Sequence, residues 1–297
     1  MTWNFRRGEQ EMFEGLKRKS IGEKALYIVV SCIFMLVALS YVYILVWTFI
    51  SGAKTHTEIV MDPFSLPVKW NFKHYLEVFE VFKVNKSNFG DMLFNSIWFA
   101  GAGTLLTQLC SATFAYCLAK YTFPGSNKIY VVFVALLSLP IFGSGGAMYK
   151  LYYNLGLINN YAQVFLSYAA LNMYTLYYVA YFQSFSGAYA EAASMDGANA
   201  FQIYFKVVLP QAKPMFLAMF LTQFITEWNT YESTLIYLPK KPTLPVGIFQ
   251  FNSEMIYNLR LDILFAACFI VVLPALILFI VFNKTIMTSV SLGGLKG

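Results

Sequence analysis

Long stretches of this chain carry no charged side chain, and this feature most limits how the chain can fold. Asp, Glu, Lys and Arg make up 12% of its 297 residues, against about 25% in an ordinary soluble domain. The charges lie in short segments that separate apolar runs. A run of about 18 or more apolar residues can cross the hydrocarbon core of a membrane as a helix. The sequence therefore predicts an all-α integral membrane protein, because a helix satisfies its own backbone hydrogen bonds in lipid.

The apolar runs predict six membrane-spanning helices, at 25–50, 92–119, 129–149, 161–182, 214–236 and 263–283. The first run begins too late and is too long for a cleavable signal peptide, so we expect it to be retained. In the third run, Pro140 and Gly143 indicate either a bent helix or close helix packing. The predicted organisation is a cytoplasmic segment 1–24, a first span 25–50, an external loop 51–91, a five-helix core 92–283 with a loop at 187–213, and a cytoplasmic tail 284–297.

The positions of Lys and Arg predict the orientation, since loops enriched in them usually face the cytoplasm. The N-terminal segment holds six of them: Arg6, Arg7, Lys17, Arg18, Lys19 and Lys24. With an even number of spans, both termini and the 187–213 loop are then expected in the cytoplasm.

Several classes of function are not supported by the sequence. The net charge of +6 is spread over many loops and no nucleic-acid-binding motif is present, so no nucleic acid partner is expected. His56 and His74 are the only histidines, and two histidines rarely make a metal site. The phosphate-binding pattern G-x-x-x-x-G-K-[ST] is missing. We therefore expect a non-catalytic chain with no metal and no cofactor of its own.

The segment EAASMDGANAFQIYFKVVLP, within the 187–213 loop, is unlike the apolar runs on either side of it. Its Ala-rich start predicts a short helix that ends near Gly197, which is free to adopt a positive φ. Asn199 followed by Gln202 is typical of an N-cap with its capping-box partner. The prediction is a cytoplasmic helix–turn–helix that a partner protein can contact, and an ordinary loop without a partner is the alternative.

The same segment resembles a known motif. Glu191-Ala192-Ala193, Gly197 and Leu209-Pro210 have the spacing of the EAA motif found in the permease subunits of bacterial ABC importers. Other stretches resemble the MalG-like, carbohydrate type of these permeases: 95–125, 151–165, 227–238, 243–251 and 291–297. The resemblance implies the type I ABC importer permease fold, with six transmembrane helices and a cytoplasmic EAA coupling helix.

This resemblance also implies partners. They are a MalF-like permease subunit in a heterodimer, two cytoplasmic ATPase subunits that hold ATP and Mg, an external solute-binding protein and a carbohydrate substrate, all at a bacterial or archaeal cell membrane. The residues expected to contact the ATPase lie in the EAA segment and in the tail: Glu191, Ala192, Ala193, Asp196, Gly197, Ala198, Gly293, Gly294 and Lys296.

A second set of polar and aromatic residues lies in the predicted fifth span. Charged groups within a span are costly in lipid and are expected to face the bundle interior or a cavity. Glu227, Trp228, Asn229 and Tyr231 offer carboxylate, amide and aromatic surfaces that suit a sugar, so we expect them to line the substrate pathway. Two alternatives stay open: an importer permease for a peptide or amino acid, and an ATP-independent carrier, which would need no ATPase contact.

Overall fold

The computed structural model describes residues 20–121, 123–139, 145–169, 172–254 and 260–294. Over these residues the chain is helical apart from its connecting segments, and its single extended pairing is one bridge between Val84 and Ser87. In chain order the helices are α1 (Ile21–Gly52), α2 (His56–Met61), α3 (Lys73–Val81), α4 (Phe89–Ser96), α5 (Gly103–Lys120), α6 (Ser126–Ser138), α7 (Gly145–Asn154), α8 (Gln163–Tyr168), α9 (Met173–Ser184), α10 (Ala188–Met195), α11 (Ala200–Ile203), α12 (Leu209–Gln211), α13 (Lys213–Asn229), α14 (Glu232–Tyr237), α15 (Leu244–Glu254) and α16 (Leu261–Gly294), with π-helical segments at Ile97–Ala102 and Tyr204–Val208.

Three of the predicted spans form continuous apolar helices. By length and composition, Ile21–Gly52, Phe89–Lys120 and Leu261–Asn283 are each able to cross a membrane. The second of these joins α4 and α5 through the π-helical segment. The last helix continues to Gly294, so the predicted separate tail from residue 284 is helical as far as that residue.

The other three predicted spans are divided in the structure. The third run is shared between α6 and α7, and Pro140 and Gly143 between them lie outside the described residues. The fourth is divided between α8 and α9, and Asn172 caps α9 by accepting a 3.0 Å hydrogen bond from the Tyr174 N–H. The fifth ends at Asn229 because the backbone of Thr230 is extended (ψ 121°), and α14 follows from Glu232.

Among the described residues, helix α1 packs on other helices only near its C-terminal end. There Trp47 lies edge-on to Phe265, with ring centroids 5.0 Å apart, and Phe49 lies 4.9 Å from Phe269. Gly52 allows the helices to approach, since a Cβ at this position would lie 2.9 Å from the Ala266 backbone. Most of the apolar side chains on the first five turns of α1 are exposed on this chain, which leaves them to lipid or a partner subunit.

The segment that follows α1 is held by buried polar groups. The Lys54 ammonium is fully buried and donates hydrogen bonds to the carbonyls of Asp62 (3.0 Å) and Pro63 (3.1 Å). Glu58 accepts hydrogen bonds from the backbone N–H groups of Thr55 and Val68, both at 2.8–2.9 Å. These two bonds to the charged form hold the pKa of Glu58 below its usual range.

The two larger hydrophobic clusters hold most of the helices together. One packs α3, α4, α13, α15 and α16 around Met92, Leu244 and Ile263. The other packs α5 and α9 against the segment after α11, through Ala112, Phe182 and Val208, among others. Because the second cluster reaches the residues on both sides of α10, it positions the EAA segment.

Candidate functional site

The EAA segment folds as the local sequence predicts. Helix α10 covers Ala188–Met195, and Gly197 follows it with φ +84°. The N–H of Gly197 bonds the Ser194 carbonyl and the N–H of Ala198 bonds the Ala193 carbonyl, both at 3.0 Å, which is a Schellman termination. The next helix begins at the predicted capping box, since Asn199 and Gln202 exchange backbone-to-side-chain hydrogen bonds of 2.9 Å.

The EAA segment has an inner and an outer side. Glu191, Ala192, Asp196 and Gly197 are exposed on the outer side. Ala193 and Ala198 are half-buried and pack against the second hydrophobic cluster. Both alanines are predicted to contact the ATPase, and this stays a prediction; the structure shows that part of their surface already contacts the chain itself.

Large apolar side chains extend the outer side, and the sequence reasoning did not select them. They are Tyr189, Met195, Phe201 and Phe205, of which Met195 is 89% exposed. Exposed apolar groups beside charged ones are typical of a protein–protein contact. Large apolar residues on α10, α11 and the π-helical segment that follows, next to the charged residues of the motif, are the signal that could have identified them.

The terminal residues predicted to contact the ATPase are only partly described. Gly293 and Gly294 are the last residues of α16. Lys296 lies outside the described residues.

In the predicted fifth span, Glu227 lies inside the bundle. The Tyr168 hydroxyl donates a 2.5 Å hydrogen bond to the Glu227 carboxylate. Gln223 lies one turn earlier on the same helix. Gln223 accepts a 2.7 Å bond from Gln108, which accepts a 2.8 Å bond from the Tyr178 hydroxyl. One set of polar contacts thus joins α8 to α13, and a second joins α5 to α9 and α13.

The other predicted pathway residues point in different directions. Trp228 is 2% exposed, stacks on Phe224 and donates its indole N–H to the Val271 carbonyl at 3.1 Å. Trp228 is therefore a core residue that joins α13 to α16, and the prediction that it lines the pathway is wrong for this structure. Asn229 is exposed and Tyr231 is half-buried, and both border a groove with α15 and α16.

The exposed side of α13 carries polar residues that the sequence reasoning missed. Thr222, Thr226 and Asn229 are exposed at helical spacing, and half-buried Thr230 follows them. Each of these threonines donates its hydroxyl proton to the carbonyl four residues earlier, so its oxygen lone pairs face outward. We call Thr222, Thr226, Asn229 and Thr230 the polar stripe of α13. The signal was the i, i+4, i+8 spacing of threonine within one span.

Histidine does not form a metal site in the described part of the chain, where no group of three or more His, Cys, Asp or Glu is placed to hold an ion. His74 is buried, its Nδ1 bonds the Gly52 carbonyl at 3.1 Å, and its Nε2 lies 3.4 Å from Asp262. Arg260 donates to Asp262 and to Glu77, and these bonds raise the pKa of the Arg260 guanidinium. The network ties α3 to the start of α16.

A helical membrane protein with an exposed helix–turn–helix at one end and polar contacts inside its bundle has the architecture of a transport permease. Residues 111–291 match the family of binding-protein-dependent transport system inner membrane components, and the chain belongs to this family. It is thus a permease subunit of an ATP-driven, binding-protein-dependent importer.

Relatives and a solved structure agree with this assignment. The diacetylchitobiose uptake system permease protein NgcG of Streptomyces coelicolor is 31% identical over 253 residues, which cover 84% of this chain and 82% of the relative. The arabinooligosaccharides transport system permease protein AraQ of Bacillus subtilis is 28% identical, with 91% and 96% covered. A chain of a bacterial ABC transporter that imports the acidic polysaccharide alginate superposes with a TM-score of 0.72 at 22% identity, with 90% and 98% covered. The all-helical architecture is accordingly the type I importer permease fold.

Proposed function

We propose that this chain imports an oligosaccharide as one half of a heterodimeric permease. The relatives that support this are named for the transport of diacetylchitobiose, arabinooligosaccharides and galactooligosaccharides. The proposal rests on the exposed outer side of the EAA segment together with the polar stripe of α13. An importer needs both a contact with an energy source and a hydrated path for its substrate.

The energy input is proposed to come from two ATPase subunits. The sequence has no phosphate-binding loop of its own. The exposed Glu191 and Asp196 offer charges to a basic partner, and Met195 beside them offers apolar surface. The Schellman turn at Gly197 and the capping box at Asn199 make the segment a compact body. A force on this body reaches α5 and α9 through the second cluster, so closure of the ATPase pair would rotate the permease halves.

The substrate path is proposed to run along the polar stripe of α13. Polar side chains exposed on a membrane helix are costly in lipid, so they are expected to face water or another subunit. Glu227 lies on the neighbouring side of the same helix and is held by Tyr168. Sugar hydroxyls passing along the stripe would exchange hydrogen bonds with its outward-facing threonine oxygens and the Asn229 amide.

Six spans with both termini in the cytoplasm complete the proposal. The EAA segment then faces the ATPase subunits, and the His74–Asp262 network and α15 face the external solute-binding protein. The chain itself supplies no catalytic group and holds no ATP, Mg or other cofactor.

Affinity purification of the chain in mild detergent tests the assembly. We expect a second permease chain and two copies of a chain with a phosphate-binding loop to copurify. Vesicles that contain this complex and its binding protein should accumulate oligosaccharides when ATP is added. Diacetylchitobiose, arabinotriose and raffinose are suitable probes. Uptake of peptides or amino acids but no sugar would favour the alternative importer, and uptake without any ATPase subunit would contradict the proposal.

A further inference from the structure

A groove of about 510 Å³ opens where α13 ends, between that end and the helices α15 and α16. Its volume lies within the ~300–1,000 Å³ range of small-molecule sites. Tyr231 and Phe249 border it and stack on each other, with ring centroids 4.7 Å apart and an angle of 19° between the rings. Phe249 is 41% exposed, so part of its ring is free to contact a ligand.

Two amides lie beside these rings. The Nδ2 of Asn229 donates to the Ile225 carbonyl at 2.7 Å, which fixes the side chain and leaves its oxygen as an acceptor. The Asn252 side chain is exposed and makes no hydrogen bond to any other described residue. Both amides line the groove, whereas Leu264 and Val272 supply apolar surface from α16.

We propose that this groove binds one neutral sugar ring of the transported oligosaccharide. An aromatic face and amides are the combination that a sugar ring recognises, since its C–H face is apolar and its edge carries hydroxyls. Asn229 belongs to both the groove and the polar stripe of α13, so the groove is continuous with the proposed path. The inference rests on the proposed function and adds a subsite to it.

The uncharged lining of the groove limits the class of sugar that can bind there. Among the described residues that line it, none is Lys, Arg, Asp or Glu. A carboxylated sugar would leave its charge there without a partner, and an unpaired charge in a partly apolar site costs several kcal/mol. The subsite should therefore accept neutral rings and reject acidic ones.

Cysteine labelling tests occupancy in the assembled complex. The native cysteines Cys32, Cys110, Cys117 and Cys268 are replaced by serine. Asn252→Cys is then compared with Ser253→Cys, its exposed neighbour that does not line the groove. Vesicles with the binding protein and ATP are treated with a water-soluble maleimide, with and without diacetylchitobiose, arabinotriose or raffinose, and with an alginate oligosaccharide as the acidic probe.

We expect the transported sugar to slow labelling at Asn252→Cys by about threefold or more, which a subsite occupied about two-thirds of the time would produce. Labelling at Ser253→Cys should not change. Equal labelling with and without the sugar that is taken up would overturn the inference. So would complete protection without sugar, because lipid or the second permease would then cover the groove.

Ring substitutions separate the subsite from the proposed function itself. Phe249→Leu should lower the uptake rate at subsaturating sugar by about fivefold to tenfold, as loss of one aromatic contact implies, whereas Phe249→Tyr should retain it. Phe279→Leu, at an exposed ring of α16 outside the groove, serves as the control. If the wild-type complex takes up sugar and Phe249→Leu is normal, only the subsite fails. If the wild type takes up none, the proposed function fails.

Discussion

The Tyr168 hydroxyl donates a 2.5 Å hydrogen bond to the Glu227 carboxylate and thereby joins the end of α8 to α13. Thr107 of α5 bonds the Tyr168 carbonyl at 2.9 Å, so Tyr168 is held from two sides. Relative motion of α8 and α13 must stretch or break this link. This hydrogen bond is therefore expected to couple the packing of the bundle to transport.

Glu227→Ala should lower sugar uptake or change sugar preference while the complex still assembles, because the carboxylate lies beside the proposed path. Tyr168→Phe should keep the ring packing and lower stability by about 1–3 kcal/mol, since it leaves a half-buried carboxylate without one partner. Uptake across several oligosaccharides and thermal unfolding of the purified complex measure the two effects. Normal uptake of every sugar by Glu227→Ala would remove Glu227 from the path.

Gly197→Val should uncouple the complex, with ATP hydrolysis no longer stimulated by the loaded binding protein and uptake lost. No atom outside the turn lies within 4 Å of a Cβ at Gly197, so the strain of roughly 1–3 kcal/mol comes from the positive φ alone. Gly197→Ala should do less, because Ala tolerates this region better than a β-branched residue.

A matched control exists for this variant. Gly125 also has a positive φ (+92°) and equally open surroundings, but it lies outside the EAA segment. Gly125→Val should destabilise to a similar extent and leave coupling intact. Normal coupling in Gly197→Val, or equal uncoupling by both variants, would show that the EAA segment is not the site of ATPase contact.

The turn around α2 should loosen in acid because of Glu58. A lowered folded-state pKa means that its contribution to stability is fully present above the unfolded value of 4.5 and is lost as pH falls through the folded value. Hydrogen exchange at the Thr55 and Val68 amides, corrected for intrinsic rates, should therefore accelerate as the pH falls below the unfolded value of 4.5. Glu58→Gln should abolish most of this pH dependence, and an unchanged profile in that variant would contradict the assignment.

Lys54→Met should destabilise the segment that follows α1 by about 1–3 kcal/mol, because the Asp62 and Pro63 carbonyls each lose one donor. The Pro63 carbonyl keeps its bond from Trp47 at 2.8 Å and the Asp62 carbonyl keeps its bond from the Ser65 hydroxyl at 3.1 Å, so the loss is partial. Lys69→Met removes an exposed charge from the same segment and should change the unfolding temperature little. Equal stability of the two variants would show that the buried position of Lys54 has no energetic consequence.

Single cysteines test the orientation. In a cysteine-free background, Asn199→Cys should react from the cytoplasmic side and Ser253→Cys from the external side, as six spans require. An impermeant maleimide applied to right-side-out and inside-out vesicles distinguishes the two sides. Reaction of both positions from one side would overturn the predicted topology.

The sequence alone determined the features that depend on neighbours along the chain. The helix Ala188–Met195, the positive φ of Gly197 and the Asn199 capping box follow from residues within one turn of each other. The membrane class followed from the length of the apolar runs, because the cost of burying charge in lipid acts on each residue independently of fold.

Tertiary structure decided which way the side chains on those elements point. Glu227 and Trp228 are adjacent in sequence, yet one bonds Tyr168 and the other fills the core against Val271. Ala193 contacts its own chain, and the Lys54 charge is buried among carbonyls. Residue type could not decide these outcomes. They depend on how each helix is rotated and on contacts between residues that are far apart in the sequence. Those contacts stabilise the fold only once the helix bundle is formed.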